Sequence, residues 1–302
     1  MAHEQNSLPQ TASSKPSTPP TEEEKLRALE AEIEALRREW GVRGVSVAIV
    51  RHNKVLLARG FGERNEKGEG VTADTLFAIG SVSKAFTALL IGQLVEQGKL
   101  SWTTPVTTLH STSFKDSVAA SQANLNDILT HQTGLPMYES LGEFWNTTDE
   151  TLARLQFLEP TQPFRGTWQY TNYMYALAGE IARKTMGKAS YAEALKASIL
   201  DPLNMSSTAA DFEKIPNAPD HARSIDREGN VMGYEEEYFL SPTVAAGGIS
   251  TCANDVTRWL QTLLGRGSLS GTKLVNDATF EELTRPHKAI KFPRSAERGY
   301  TS

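Results

Sequence analysis

Cysteine is nearly absent: Cys252 is the only one in 302 residues. A lone thiol excludes an internal disulfide, so nothing in the sequence requires an oxidising compartment. Long apolar runs are missing as well, and none approaches the ~18 residues that a membrane-spanning helix needs. The first 25 residues lack the apolar stretch of a secretory leader. There is no basic excess: 31 Lys and Arg against 36 Asp and Glu leave a net charge of −5, which argues against nucleic acid or an anionic membrane as a main partner. No segment repeats, which excludes a tandem-repeat array. A cytoplasmic protein is the expectation. Asn146-Thr-Thr and Asn204-Met-Ser match the glycosylation pattern, but that matters only in a secreted chain.

A hydrophobic content of 39% and a charged content of 22% fit a globular protein with a sizeable core. Residues 1–20 are polar and rich in Pro, Ser and Thr, and are expected to be disordered; the folded domain is expected over 21–302. Thr21-Glu-Glu-Glu24 reads as a capping box that opens a helix over 21–40. Its apolar residues Leu26, Leu29, Ile33, Leu36 and Trp40 follow a 3-4-3-4 spacing. That pattern serves either a short dimeric coiled-coil seam or packing on the chain's own domain, and two heptads favour the second. Val45 to Phe61 reads as a hairpin around the polar turn Arg51 to Lys54. Its strands are apolar on both faces, which suggests a sheet covered on each side by helices. From about 75 to 285 the pattern is mainly helical.

Within that region, residues 77–98 read as a tight turn that opens a buried helix. Gly80 leads in, and Phe86, Leu89, Leu90 and Leu94 mark one face. Ser81 and Lys84 stand three residues apart and project side by side. A helix N-terminus favours a developing alkoxide, and burial lowers a lysine pKa, so the pair suits an activated nucleophile. The pair also suits a capping serine followed by a snorkelling lysine. A second Ser-x-x-Lys, Ser270 to Lys273, lies in a Gly-rich stretch and reads as a surface loop. Tyr170-Thr-Asn172 is the only Tyr-x-Asn and sits at the start of the next long helix. A Tyr hydroxyl near an amine can pass a proton to a leaving group, and an Asn can hold a carbonyl. As plain structure, it is a helix entry with a packed aromatic. Ala245 to Thr251 reads as a flexible turn before a helix.

Phe77 to Thr87, Leu129-Thr-His-Gln-Thr-Gly-Leu-Pro136, Tyr170-Thr-Asn172 with its following helix, and Ala246-Gly-Gly-Ile-Ser-Thr251 occur in that order. Together they resemble the serine β-lactamase and penicillin-binding-protein superfamily, in its class C-like branch of esterases, D-amino-acid peptidases and transesterases. The resemblance implies an α/β (α+β) fold: an antiparallel sheet flanked by helices, plus a mainly helical subdomain. It also implies an acyl-enzyme mechanism on small esters, amides or lactams, with no cofactor and no metal. Ser81 would be the acylated nucleophile, Lys84 its base, Tyr170 the general acid/base, and Asn172 the residue that orients the acyl side. His131 reads as a structural turn residue.

One departure stands out. The family's third motif is Lys or His, one residue, then Gly, on a late strand that supplies an oxyanion-hole N–H. None of the lysines and none of the six histidines here begins such a triplet. The last sheet strands and C-terminal helix are therefore expected to be missing, leaving a strand edge exposed. The alternative function is that of a non-catalytic family member acting as a binding protein.

Overall fold

The computed structural model describes residues 19–137, 147–210, 215–226, 228, 230–232 and 242–290. The tail 1–18, residues 138–146 with Asn146, part of the polar stretch 211–242 and the final dozen residues lie outside the described residues. The chain divides into two compact units, residues 1–42 and 43–302.

The first unit holds one helix, α1 (Glu22–Glu39), whose capping box has both arms in place between Thr21 and Glu24. No residue of α1 is buried.

The second unit opens with the hairpin β1 (Gly44–Arg51) and β2 (Lys54–Gly62). His52 and Asn53 both adopt positive φ, 47° and 64°, as a two-residue hairpin turn demands. A register shift falls between Ile49 and Val50. The Glu63 N–H donates to the Arg43 carbonyl at 2.9 Å. That bond assigns Val45, Val47 and Ile49 to the paired side and turns the backbone groups of Gly44, Ser46 and Ala48 to the other edge. Among the described residues no strand pairs with that edge. A groove of about 220 Å³ runs beside it, lined by Gly44, Ser46, Ala48, Phe77, Ile79 and Val256, among others.

The short strand β3 (Phe77–Ala78) leads into a 3-10 turn, Gly80–Val82, and then α2 (Ser83–Glu96). Ten of the 14 residues of α2 are buried, and only Ala85 and Glu96 are exposed. Small helices follow: α3 (Val106–Leu109), α4 (Ser117–Gln122), α5 (Leu125–Leu129) and α6 (Thr148–Arg154). Next come α7 (Tyr173–Thr185) and α8 (Tyr191–Leu195), which runs on as a π-turn to Leu200. The chain then forms α9 (Val244–Gly247), β4 (Ser250–Thr251), α10 (Ala253–Leu264), the hairpin β5 (Ser268–Leu269) and β6 (Thr272–Lys273), and α11 (Asp277–Thr284).

α2 is the axis of the core. It packs against α7, α9 and α11, while α7 also contacts α5, α6 and α8. Leu90, Ile91, Leu177, Ile181 and Leu195 are fully buried between them. The Phe86 ring stacks on Trp259 at 3.9 Å between centroids, tying α2 to α10, and α10 in turn covers the hairpin.

Two readings of the sequence need adjusting, and a third holds. Val45 to Val50 are only half-buried and, of the hairpin, only Leu57 and Phe61 are buried, so helices do not enclose both faces among the described residues. Ala245 to Thr251 is no flexible turn: α9 and β4 are buried, and β4 pairs with β3 through Phe77–Thr251 and Ala78–Ser250. The second Ser-x-x-Lys is the exposed turn between β5 and β6, as its glycines suggested. Among the described residues no helix is long and apolar enough to cross a membrane.

Truncating Phe86 removes both a 1% exposed ring and the Trp259 stack. Phe86→Ala is expected to cost about 3–5 kcal/mol, read as a lowered denaturant midpoint with an unchanged m-value.

Candidate active site

Strand β3 and the turn after it deliver Ser81. The Ile79 N–H donates to the Ile249 carbonyl at 3.0 Å, anchoring the strand end against β4. Gly80 then takes φ +50°, which reverses the chain at low steric cost and leaves Ser81 exposed in the 3-10 turn. The first turn of α2 carries no side-chain cap, so its positive end faces the region around Ser81.

Lys84, one turn on, is buried. Its Nζ lies 3.1 Å from Ser81 Oγ, 2.5 Å from Tyr170 OH, 2.8 Å from Asn172 Oδ1 and 2.8 Å from the Ala246 carbonyl. Ser81 Oγ and Tyr170 OH are themselves hydrogen-bonded. Four oxygens exceed the three protons of an ammonium. Ala246 O and Asn172 Oδ1 can only accept, so they hold two of the amine's hydrogens. The remaining position points at the two hydroxyls, as a third N–H in the ammonium or a lone pair in the neutral amine. Burial pushes the Lys84 pKa down to about 8, so both forms are populated in mildly alkaline solution. Nζ also lies 4.6 Å from the Tyr170 ring centroid, a contact that favours the charged form.

Tyr170 and Asn172 are held at the mouth of α7. Asn172 is the N-cap residue, yet its side chain makes no capping bond and goes to Lys84 instead. Tyr175 OH donates to the Leu129 carbonyl at 2.9 Å and fixes the first turn of α7 to α5. His131 holds the approach to Tyr170. It sits at φ +56°, its carbonyl accepts from Gln169 N–H at 2.9 Å, and its Nδ1 accepts from Thr171 N–H at 3.3 Å. Its ring lies 4.7 Å from that of Tyr170. Burial first, and then the Lys84 charge, push the His131 pKa down to about 4, so the ring is neutral with its proton on Nε2. His131 is thus a turn residue, as read from the sequence, and also a positioning residue for Tyr170.

The segment Ala245–Ile249 was missed as part of the site. It is stitched along α2: Thr87 Oγ1 donates to Ala245 O at 2.6 Å, Lys84 to Ala246 O, and Ile249 N–H to Ser83 Oγ at 3.1 Å. Because the Thr87 proton is spent on Ala245 O, Tyr191 OH is the donor in its 2.7 Å bond to Thr87. Gly179 lets α7 come this close, since a Cβ there would lie 2.4 Å from the Ala245 Cβ. The sequence signals were the small residues at 245–248 and the place of Ala246 to Thr251 among the ordered motifs.

One cluster among the described residues could be taken for a metal site: His110, Asp149 and Glu180 bring ligand atoms within 4.8 Å of one another. The donor chemistry argues otherwise. Thr112 N–H donates to His110 Nδ1 at 3.1 Å, which leaves the proton on Nε2, the atom that would have to ligate. Glu180 is already committed to Arg183 through bonds of 2.7 and 2.6 Å.

Residues 29–300 match the Beta-lactamase family model. The chain belongs to the β-lactamase family. It is 29% identical over 241 residues to an unguisins hydrolase of Aspergillus campestris, covering 75% of this chain and 45% of that protein. Similarity to the teichoic acid D-alanine hydrolase of Staphylococcus aureus is 28% over 245 residues, covering 80% and 59%. The chain therefore spans about half the length of these relatives. Among solved structures, an octameric penicillin-binding protein homologue from Pyrococcus abyssi superposes with a TM-score of 0.72 at 28% identity, covering 85% of this chain and 59% of that one. FmtA from Staphylococcus aureus gives 0.69 at 23%, covering 84% and 70%, and bears on the fold alone. The α/β fold read from the motifs is that of these neighbours.

Because Lys84 titrates near 8 in the fold and at 10.5 when unperturbed, the unfolded chain holds a proton in that window that the folded chain has shed. Its contribution to stability is full above the upper value and lost as pH falls through the lower one. The stability of the wild type minus that of Lys84→Met, from denaturant unfolding, should rise by roughly 3 kcal/mol between those limits. A difference that stays flat would contradict the lowered pKa.

Proposed function

We propose that this protein is a serine hydrolase or acyltransferase acting through an acyl-Ser81 intermediate on small esters, amides or lactams. The observation that carries this reading is the buried Lys84 amine placed within hydrogen-bond reach of both Ser81 Oγ and Tyr170 OH. With Lys84 neutral, the Ser81 proton passes to its lone pair as Oγ bonds to the substrate carbonyl carbon. Collapse of the tetrahedral adduct breaks the bond to the leaving oxygen or nitrogen, which takes a proton from Tyr170 OH. Lys84 then reprotonates Tyr170. In the second half a water, or an acceptor alcohol or amine, attacks the acyl carbon while its proton passes through Tyr170, which hands its own to the neutral Lys84 amine; collapse of this adduct breaks the acyl–Oγ bond, and Lys84 returns the proton to Ser81 Oγ. Asn172 Oδ1 is held by Lys84, which leaves the Asn172 amide N–H groups for the acyl side of the substrate. The named hydrolases among the relatives, acting on unguisins and on teichoic acid D-alanine, support the reaction class.

A second reading, a non-catalytic binding protein of the same family, is favoured by one observation: the sequence contains no Lys-x-Gly or His-x-Gly. An absent oxyanion-hole donor costs on the order of 10² to 10³ in turnover.

A fluorophosphonate probe should modify Ser81, located by peptide mass spectrometry, at a rate that rises with pH and reaches half its plateau near pH 8. Ser81→Ala should take no label, and Lys84→Ala should slow labelling by about 10² or more. Equal labelling of the wild type and Ser81→Ala would defeat the acyl-serine reading. Failure to label or to turn over nitrophenyl esters would favour the binding protein.

A further inference from the structure

We infer that Arg165 is a positioning residue for Tyr170: through Asp127 it locks the segment that carries the phenol in register with the Lys84 amine. The inference rests on the acid–base role proposed for Tyr170 and concerns what holds that hydroxyl in place.

Tyr170 lies near the end of a segment, 161–171, that runs beside residues 131–134. The bonds between the two all run one way. Thr161 and Gln162 N–H donate to the Gly134 carbonyl at 3.0 and 3.3 Å, and Arg165 N–H donates to the Gln132 carbonyl at 2.8 Å. Gln169 and Thr171 N–H then reach the carbonyl and Nδ1 of His131. Neither stretch is a regular strand, so no repeating ladder fixes the register between them.

The Arg165 side chain supplies that fix. Its Nε and Nη2 donate to the two Asp127 carboxylate oxygens, each at 2.8 Å, and a two-pronged bond tolerates little sliding or rotation. The Asp127 side chain is only 5% exposed and is itself held on α5, where its Oδ2 accepts from Asn124 N–H at 3.0 Å. Gln132 N–H donates to the Asp127 carbonyl at 2.9 Å, which closes a ring of contacts through Asp127, Gln132 and Arg165. Arg165 sits at φ +58°, a region that side chains with a Cβ adopt at a cost. A turn alone is served at lower cost by Gly or Asn, and the guanidinium bond offsets the difference.

α5 also anchors the chain beyond the phenol, through Tyr175 OH and the Leu129 carbonyl. Tyr170 is therefore suspended between two attachments to one helix, Arg165 ahead of it and Tyr175 behind. Loss of the first frees the phenol to draw back from Lys84 Nζ, while Ser81 and Lys84 keep their spacing on α2 and its entry turn.

Arg165→Asn removes the fork and keeps a residue suited to positive φ. It should lower kcat for nitrophenyl esters by about tenfold or more with KM unchanged, since misplacing a reacting group by about 1 Å costs up to roughly 10². Fluorophosphonate labelling of Ser81 should keep the wild-type rate, because fluoride leaves without a proton from Tyr170. Arg165→Lys, a point charge in place of the fork, should fall between the two. The Arg165 side chain is 44% exposed, so millimolar guanidinium chloride should restore turnover to Arg165→Asn where sodium chloride does not. With fluorotyrosine incorporated, the Tyr170 fluorine resonance, assigned by its loss in Tyr170→Phe, should move in Arg165→Asn and return with guanidinium. That signal tests the positioning whether or not the chain turns over esters, whereas a wild type that neither labels nor turns over defeats the acyl-serine reading. Circular dichroism checks the fold, and if Arg165→Asn unfolds, Arg165→Lys carries the same comparison. An unmoved Tyr170 resonance, a loss of turnover that falls equally on Ser81 labelling, or a loss that guanidinium leaves unrestored would each overturn the proposal.

Discussion

A single buried amine organises the site. Lys84 is the one charged residue among the buried residues of α2, and removing its charge from water is unfavourable. The fold meets that cost partly by lowering the pKa and partly by surrounding Nζ with four oxygens from three places in the chain. Each of those places constrains an element. Ser81 fixes the turn before α2, Tyr170 and Asn172 fix the entry to α7, and Ala246 fixes α9. The separations along the chain, 86 residues to Tyr170 and 162 to Ala246, mean that the amine gathers segments that are otherwise independent.

The neighbouring packing follows from the same requirement. For Ala246 O to reach Nζ, α9 must lie flat against α2, and the bonds from Thr87 and Ser83 hold it there on either side. α7 must then approach α9 from behind, which only a residue without a side chain permits at position 179. Tyr191 closes the layer, its hydroxyl bonded to Thr87 and its ring 3.1 Å from where a Cβ on Gly179 would stand. Close packing and hydrogen bonding therefore set the direction of the lysine side chain together. A change at Gly179 or Thr87 would act on Lys84 through α9, without touching any reacting atom.

How much of this was legible beforehand depended on where each signal resides. Local signals read well: Thr21 and Glu24 announced the start of α1, His52-Asn53 the hairpin turn, and Gly80 the turn that presents Ser81. Ser81 and Lys84 could be paired because they stand only three residues apart, at the junction of one turn and its helix. Tyr170 and Asn172 could be attached to them only through the order of motifs, since nothing in Tyr-Thr-Asn specifies what it faces. The Ala246 carbonyl was invisible, because a backbone acceptor has no side-chain signature. Its Gly-Gly neighbours suggested flexibility, whereas tertiary contacts bury that segment. His131 gave a turn but no hint of its ring against Tyr170, because positive φ is a backbone property and the stacking a tertiary one. The coverage of the hairpin was over-read: alternating apolar residues report how much surface could be covered, and leave open what covers it.

The geometry also separates two functions that the proposed acyl transfer would have to combine. On that reading proton transfer needs hydroxyl, amine and phenol within bonding distance, and Ser81, Lys84 and Tyr170 stand within it. Polarising the substrate carbonyl needs N–H donors aimed at the developing oxyanion, and such donors come from backbone segments beside the nucleophile. Beside β1 the backbone groups of Gly44, Ser46 and Ala48 border an open groove, and β3, which leads to Ser81, forms part of its lining. The two halves make different demands on a reagent. A fluorophosphonate carries its own activated leaving group and asks chiefly for a deprotonated serine, whereas an unactivated amide also asks for the oxyanion donors. Reactivity that is high towards activated acylating agents and low towards amides would mark a site in which the acid–base half is complete and the carbonyl-binding half is the weaker one.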